Sequence, residues 1–218
     1  PLSTQALMKD IELPAGVNSK LSEFSLNYAL QEDPRFDEVG PAGKVLWCLE
    51  RLEPEGVRTI PTPLQYVEIQ YDRAALTGQM IALEAQVDDE LSEASAPAAD
   101  ELTISLLYPH WRAGTLPISA RAKRLFPTAY ESNRVCFTLV DARTGKKTPA
   151  WVVREHGYVY GLADWYKSQD LMPGALIRVR HGDQPGEVRI EALTHRSVRD
   201  WVRTVIVGAD GGLVFALL

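Results

Sequence analysis

Residues 116–183 read LPISARAKRLFPTAYESNRVCFTLVDARTGKKTPAWVVREHGYVYGLADWYKSQDLMPGALIRVRHGD, and the fold turns on this stretch. Residues 134–140 alternate, with Val135, Phe137 and Leu139 on one face and Cys136 and Thr138 on the other. That period of two belongs to a strand. A basic hairpin loop with Gly145 follows over 141–148. Residues 150–154 and 158–162 then read as two strands around Glu155-His156-Gly157. A short helix carrying Trp165 spans 163–170, and the turn Leu171-Met172-Pro173-Gly174 leads into a further alternating strand at 175–180. Trp151, Tyr160 and Trp165 are expected in the core.

Outward from this stretch the strands continue. Residues 102–108 (LTISLLY) precede it, 187–193 and 202–207 follow it, and Asp210-Gly211-Gly212 turns into a final apolar LVFALL. Many short strands with frequent turns favour a barrel or sandwich. The N-terminal half reads differently. Ser3 suits the N-cap of a short helix over 3–10, and Pro14-Ala15-Gly16 breaks it. Ser19 opens a second helix with Leu21, Phe24 and Tyr28 on one face, ending near Asp33-Pro34. Phe36 and Val39, the turn Gly40–Gly43 and the apolar run 45–49 then form a hairpin. Residues 64–71 (LQYVEIQY) alternate like a strand. Residues 74–91 read as a helix with an acidic tail, and 92–99 (SEASAPAA) as a linker. The fold class expected is α+β: a winged-helix-like module, 1–91, then a linker, 92–101, then a seven-stranded open β-barrel with short helices, 102–218.

The chain has 218 residues, 45% hydrophobic and 24% charged, which is ordinary globular material for two domains. It begins at Pro1 rather than Met and so reads as a fragment or a processed chain. Cys48 and Cys136 are expected as reduced, buried thiols in a cytoplasmic protein. No apolar run approaches membrane-spanning length, so no membrane partner is expected. The net charge of −6 hides an asymmetry: residues 1–103 sum to −12 and residues 104–218 to +6. A basic half suggests a polyanionic partner for that half. No nucleophile–base pair, metal-ligand spacing or phosphate-cradling glycine loop is present, so neither catalysis nor a cofactor is expected.

Two resemblances follow from ordered motifs. Asn27-Tyr28-Ala29-Leu30, Asp33-Pro34-Arg35-Phe36, Val39-Gly40 and Trp47 resemble winged-helix modules associated with bacterial helicases and polymerases. The helix before Asp33 is poor in Arg and Lys, so this module is read as a packing or protein-contact element. The segment Leu116-Pro117-Ile118-Ser119 with 120–127, the strand at 135–141, the strand pair at 150–162, the Trp-bearing helix and the turn 171–174 together resemble the DNA-binding pseudobarrel. That fold is found in auxin-response-factor-type plant regulators and in recognition domains of some bacterial restriction enzymes. Ala175 departs from the acidic residue that family carries after the turn glycine.

The resemblance implies double-stranded DNA held between two arms, 108–115 and 154–158. The first arm carries His110, Trp111, Arg112 and Thr115, and the second carries Arg154, His156 and Tyr158. The residue chemistry points the same way. Arg112 and Arg154 can donate bidentately to guanine, His110 and His156 can donate to bases or phosphates, and Trp111 offers a flat face. Arg121, Lys123, Arg124, Arg143, Lys146 and Lys147 suit phosphates. The expected function is non-catalytic DNA binding, in transcription regulation of bacterial type or as the recognition part of a DNA-processing protein. The other expectation is a protein-interaction module whose basic barrel docks on an acidic segment such as 84–93, giving the acidic half a protein partner.

Overall fold

A computed structural model describes residues 1–11, 16, 18–66, 72–84, 100–129, 132–193, 203–207 and 213–217. The N-terminal half opens with β1 (Leu2–Ser3), α1 (Thr4–Asp10), α2 (Ser19–Gln31), β2 (Phe36–Glu38) and β3 (Leu46–Leu49). Strands β1 and β2 flank β3 in an antiparallel three-stranded sheet. Ser3 caps α1, its hydroxyl accepting from the Ala6 N–H at 3.2 Å. The second helix is capped by Asn18, one residue before the expected Ser19, because the Asn18 carboxamide oxygen reaches the N–H groups of both Lys20 and Leu21. The helix turns Asn27 and Leu30 inward. Asn27 Oδ1 accepts from Thr4 Oγ1 at 2.5 Å and from Trp47 Nε1 at 3.0 Å, tying both helices to the sheet. The apolar face of α2, Leu21, Phe24 and Tyr28, points outward and is exposed.

Two short helices follow, α3 (Glu55–Arg58) and α4 (Gly78–Glu84). Of the strand expected at 64–71, Leu64 instead closes a 3-10 turn over Thr62–Leu64, and 67–71 lie outside the described residues. The acidic tail and linker, 85–99, lie outside them too.

The C-terminal half contains β4 (Glu101–Ser105), α5 (Tyr108–Ala113), β5 (Thr115–Pro117), β6 (Arg134–Asp141), β7 (Lys147–Val153), β8 (Tyr158–Tyr160), α6 (Ala163–Ser168), β9 (Leu176–His181) and β10 (Glu187–Leu193). β11 (Arg203–Val207) and β12 (Leu213–Leu217) form a separate hairpin. The seven-stranded sheet runs β4-β9-β10-β6-β7-β8-β5, antiparallel except for the β10–β6 pair. Its two edges, β4 and β5, are consecutive strands in the chain, joined by residues 106–114 and a helix of six residues. A flat sheet of seven strands is about 29 Å across. The joining segment reaches roughly 20 Å once its helical part is counted at 1.5 Å per residue. The sheet therefore curls into an open half-barrel.

Each face of the central strands has its own core. Val135, Phe137 and Leu139 of β6, with Ala150 and Val152 of β7, face the barrel interior beside Leu106, Phe126, Trp165 and Ile177. The alternate residues Cys136, Trp151, Val153 and Tyr158 pack on the outer face against Val39, Cys48, Val57 and Leu64 of the acidic half. That is why β6 and β7 are buried on both sides. Burial pushes the Cys136 thiol up to about 11, which keeps it protonated and unreactive. Polar ties join the halves as well. The Cys136 N–H donates to the Val39 carbonyl at 2.7 Å, and the Tyr158 hydroxyl donates to the Gly56 carbonyl at 2.9 Å. Glu53, whose side chain is fully buried, accepts from Arg134 at 2.5 Å, with Asp37 at 3.6 Å from the same guanidinium. Gly56 is required by a close approach: a Cβ there would sit 2.3 Å from the Tyr160 ring.

Candidate nucleic-acid interface

The first expected arm, 108–115, is helical through Ala113 rather than extended. Pro109 lies in the first turn, where its missing N–H costs nothing. Gly114 ends the helix in the left-handed region at φ +67°, its N–H returning to Trp111 O. Helical spacing places His110 and Arg112 about 200° apart around the axis, so they cannot share a surface. His110 turns inward and is buried, with Nδ1 2.8 Å from the hydroxyl of the equally buried Thr115. Trp111 is half-buried and donates its indole N–H to the Leu171 carbonyl at 2.8 Å, closing the barrel beside α6. Arg112 is exposed in a different depression, beside Lys167 and Asp170.

The second arm is the four-residue turn between β7 and β8, since Val153 pairs with Tyr158. Arg154 and Glu155 are exposed and His156 is half-buried. Tyr158 is buried, and the His156 ring stacks over it at 6.2 Å and 19°. Burial pushes the Tyr158 hydroxyl up to about 12. Its place is structural: it ties this turn to Gly56 in the acidic half. The sequence reading placed His110, Thr115 and Tyr158 on a recognition surface; the structure places them inside.

Residues 119–124 form the third segment. The Ser119 hydroxyl accepts from the Ala122 N–H at 3.3 Å, and a 3-10 turn runs over Ala122–Arg124. Ala122, Leu125 and Phe126 go into the core, which leaves Lys123 and Arg124 exposed and Arg121 half-buried. The β9–β10 hairpin brings His181 and Gln184 beside them.

These segments enclose two adjoining hollows. One, of about 580 Å³, runs between Lys123, Arg124, Arg154, His181 and Gln184, with Asp183 and Glu187, ion-paired to Arg189 and Lys147, also in its wall. The other, of about 340 Å³, lies between the barrel and the acidic half, with Ile60, Leu64 and Ile118 as apolar lining and Tyr66, His110 and the 154–158 turn around it. Lys123 and Arg154 belong to both hollows. Among the described residues, no ion pair engages Lys123, Arg124 or Arg154. Some other cations of the basic half are neutralised. Arg189 pairs with Asp183, and Arg178 lies 3.1 Å from Glu101 and 3.3 Å from Glu191.

The expected phosphate rim is split. The strand pairing runs from Arg134↔Val153 to Val140↔Lys147, so Arg143, Lys146 and Lys147 lie at the far end of the β6–β7 pair from Arg154. Seven residues of strand separate the two ends by roughly 20 Å. Lys147 is also held by the Glu187 carboxylate. The far hairpin is rigidly built around buried Asp141. Its carboxylate accepts from the N–H groups of Arg143 and Thr144 and from the Trp165 indole and the Gln169 carboxamide. Burial works to raise the Asp141 carboxyl, but these donors together outweigh it and hold it below the usual value.

The sequence reading did not include His181, Ile60, Leu64 or Tyr66 in the site. His181 ends an alternating strand and carried no local signal. The other three come from the acidic half, which reaches the site only through tertiary packing. Among the described residues, no group of three or more His, Cys, Asp and Glu side chains comes together as a metal site, and no helix is long and apolar enough to cross a membrane. No known protein family matches the chain, and no curated protein is significantly similar to it.

Proposed function

We propose that this protein binds double-stranded DNA without catalysis, through the cleft on its β half-barrel, as a regulator or as the recognition part of a DNA-processing protein. The observation that carries the reading is the convergence of Lys123, Arg124 and Arg154, three cations without ion-pair partners among the described residues, on one open concave surface. Cations set on a rigid scaffold meet phosphates and release condensed counterions, with a salt slope of about −0.9 for each phosphate neutralised. Three such contacts predict a slope of about −3. Arg154 is the residue best placed for bidentate contact with guanine. The N-terminal β1-α1-α2-β2-β3 order supports a winged-helix-like module used for packing, since it is docked on the barrel through the outer faces of β6 and β7.

Fluorescence anisotropy with a random duplex between about 50 and about 200 mM salt tests this directly. Binding that weakens with that slope supports the reading, and binding that is absent or indifferent to salt overturns it. A second reading is favoured by the way Glu53 and Asp37 of the acidic half clasp Arg134 of the barrel. On this reading the basic cleft docks an acidic protein segment. A peptide of residues 84–93 that binds the cleft of a chain indifferent to duplex would select it.

A further inference from the structure

The 340 Å³ cavity is badly suited to a phosphate backbone. Its lining includes Ile60, Leu64 and Ile118, and the exposed carboxylate of Glu155 stands at the turn that borders it. A carboxylate repels phosphates, yet it accepts hydrogen bonds from the exocyclic amines of bases. Aromatic surface lies beside these groups: Tyr66 is 53% exposed, and His156 stacks over Tyr158. Bases freed from the helix stack on such rings. The volume corresponds to roughly ten water molecules of liquid, at about 30 Å³ each. That is room for a single base. The cations shared with the neighbouring cleft, Lys123 and Arg154, stand where the flanking phosphates of such a base would pass.

We infer that this cavity seats one unstacked nucleobase, drawn out of a duplex whose backbone lies along the Lys123–Arg124–Arg154 cleft. The inference rests on the DNA-binding reading and adds the element recognised. A base inside an intact duplex must be unpaired and unstacked to enter, which costs a few kcal/mol. The protein therefore prefers a base that is already unpaired. The exposed carboxylate of Glu155, an acceptor at the cavity, favours a base with an exocyclic amine over thymine.

The test compares the full chain binding two duplexes, one fully paired and one carrying a single adenine opposite an abasic position. The expected result is about tenfold tighter binding to the second, which corresponds to about 1.4 kcal/mol. Ile60→Trp, which fills the cavity, and Tyr66→Ala, which removes an exposed ring, should each bring the ratio close to one. Equal, salt-dependent binding of both duplexes by the unaltered chain overturns the base site and leaves the DNA reading intact. A preference that survives in both variants also overturns it. Failure to bind either duplex, with no saturable binding of free deoxyadenosine monophosphate, overturns both readings. Saturable binding of free deoxyadenosine monophosphate that Ile60→Trp abolishes, without duplex binding, keeps the base site and removes the duplex reading alone.

Discussion

Arg154 carries more of the proposed function than any other side chain, since it borders both hollows and is exposed. Arg154→Ala should weaken duplex binding about tenfold at low salt and reduce the salt slope by about one. Arg143→Ala with Lys146→Ala, at the distant hairpin, should change affinity less than twofold; anisotropy titrations on the two variants measure both effects. Asp141 stands at the opposite pole, a structural acid rather than a ligand group. Asp141→Ala orphans the Trp165 indole and loosens the hairpin, at about 2–3 kcal/mol. The folded protein holds this carboxyl below the ordinary aspartate value. A depressed value stabilises the fold above the unfolded pKa, and that stability is lost as pH falls through the folded one. The unaltered chain should therefore lose more stability between pH 5 and pH 3 than Asp141→Asn, as read from urea midpoints.

Among the elements, α5 decides which residues reach the surface. Its helical turn sends His110 inward and Arg112 to the far side, so Arg112→Ala should leave duplex affinity unchanged. The helix depends on Gly114, where any side chain would need the left-handed conformation and a Cβ would lie 2.6 Å from that of Ala163. Gly114→Ala should cost about 2–3 kcal/mol and lower the melting temperature by several degrees. Pro109 and Gly114 are both visible in the sequence as helix-boundary residues. The helix they mark has only six residues, too short a stretch for periodicity to distinguish a helix from an arm. The strands were legible for the opposite reason. β6, β9 and β10 run six to eight residues each and keep one face in the barrel interior, so their sequences alternate.

At the scale of the molecule, the acidic half and the barrel share a core on the outer face of β6 and β7, pinned by Glu53 and Arg134. Arg134→Ala leaves a carboxylate buried without its partner and should cost about 3 kcal/mol. Loss of the interface should also lower the unfolding m-value or split the transition in two, which urea unfolding followed by tryptophan fluorescence reads out. Burial raises the Glu53 carboxyl above its ordinary value, against the opposing pull of Arg134. The sign is therefore reversed from Asp141: the Glu53 contribution is present below the unfolded pKa and is lost as pH rises through the folded one. Glu53→Gln should remove that part of the decline. The exposed face of α2, Leu21, Phe24 and Tyr28, shows the same dependence on the whole molecule. Helical spacing groups those three residues, but the direction in which the group points is set by Asn27 bonding Thr4 and Trp47 on the other side.

What the sequence by itself determined is local. The strand alternation, the glycine and proline turns, the Ser3 cap and the charge asymmetry all depend on neighbours a few residues apart, and each is legible in its own segment. Only the tertiary structure decided which cations share a surface. Lys123, Arg124 and Arg154 meet because a curled sheet brings the 119–124 segment, the β7–β8 turn and the β9–β10 hairpin to one end, while the β6–β7 hairpin carries Arg143 and Lys146 to the other. The base-sized cavity is further still from any local signal. Its walls come from segments some ninety residues apart, Ile60–Tyr66 and Arg154–Tyr158, and packing between the two halves creates it.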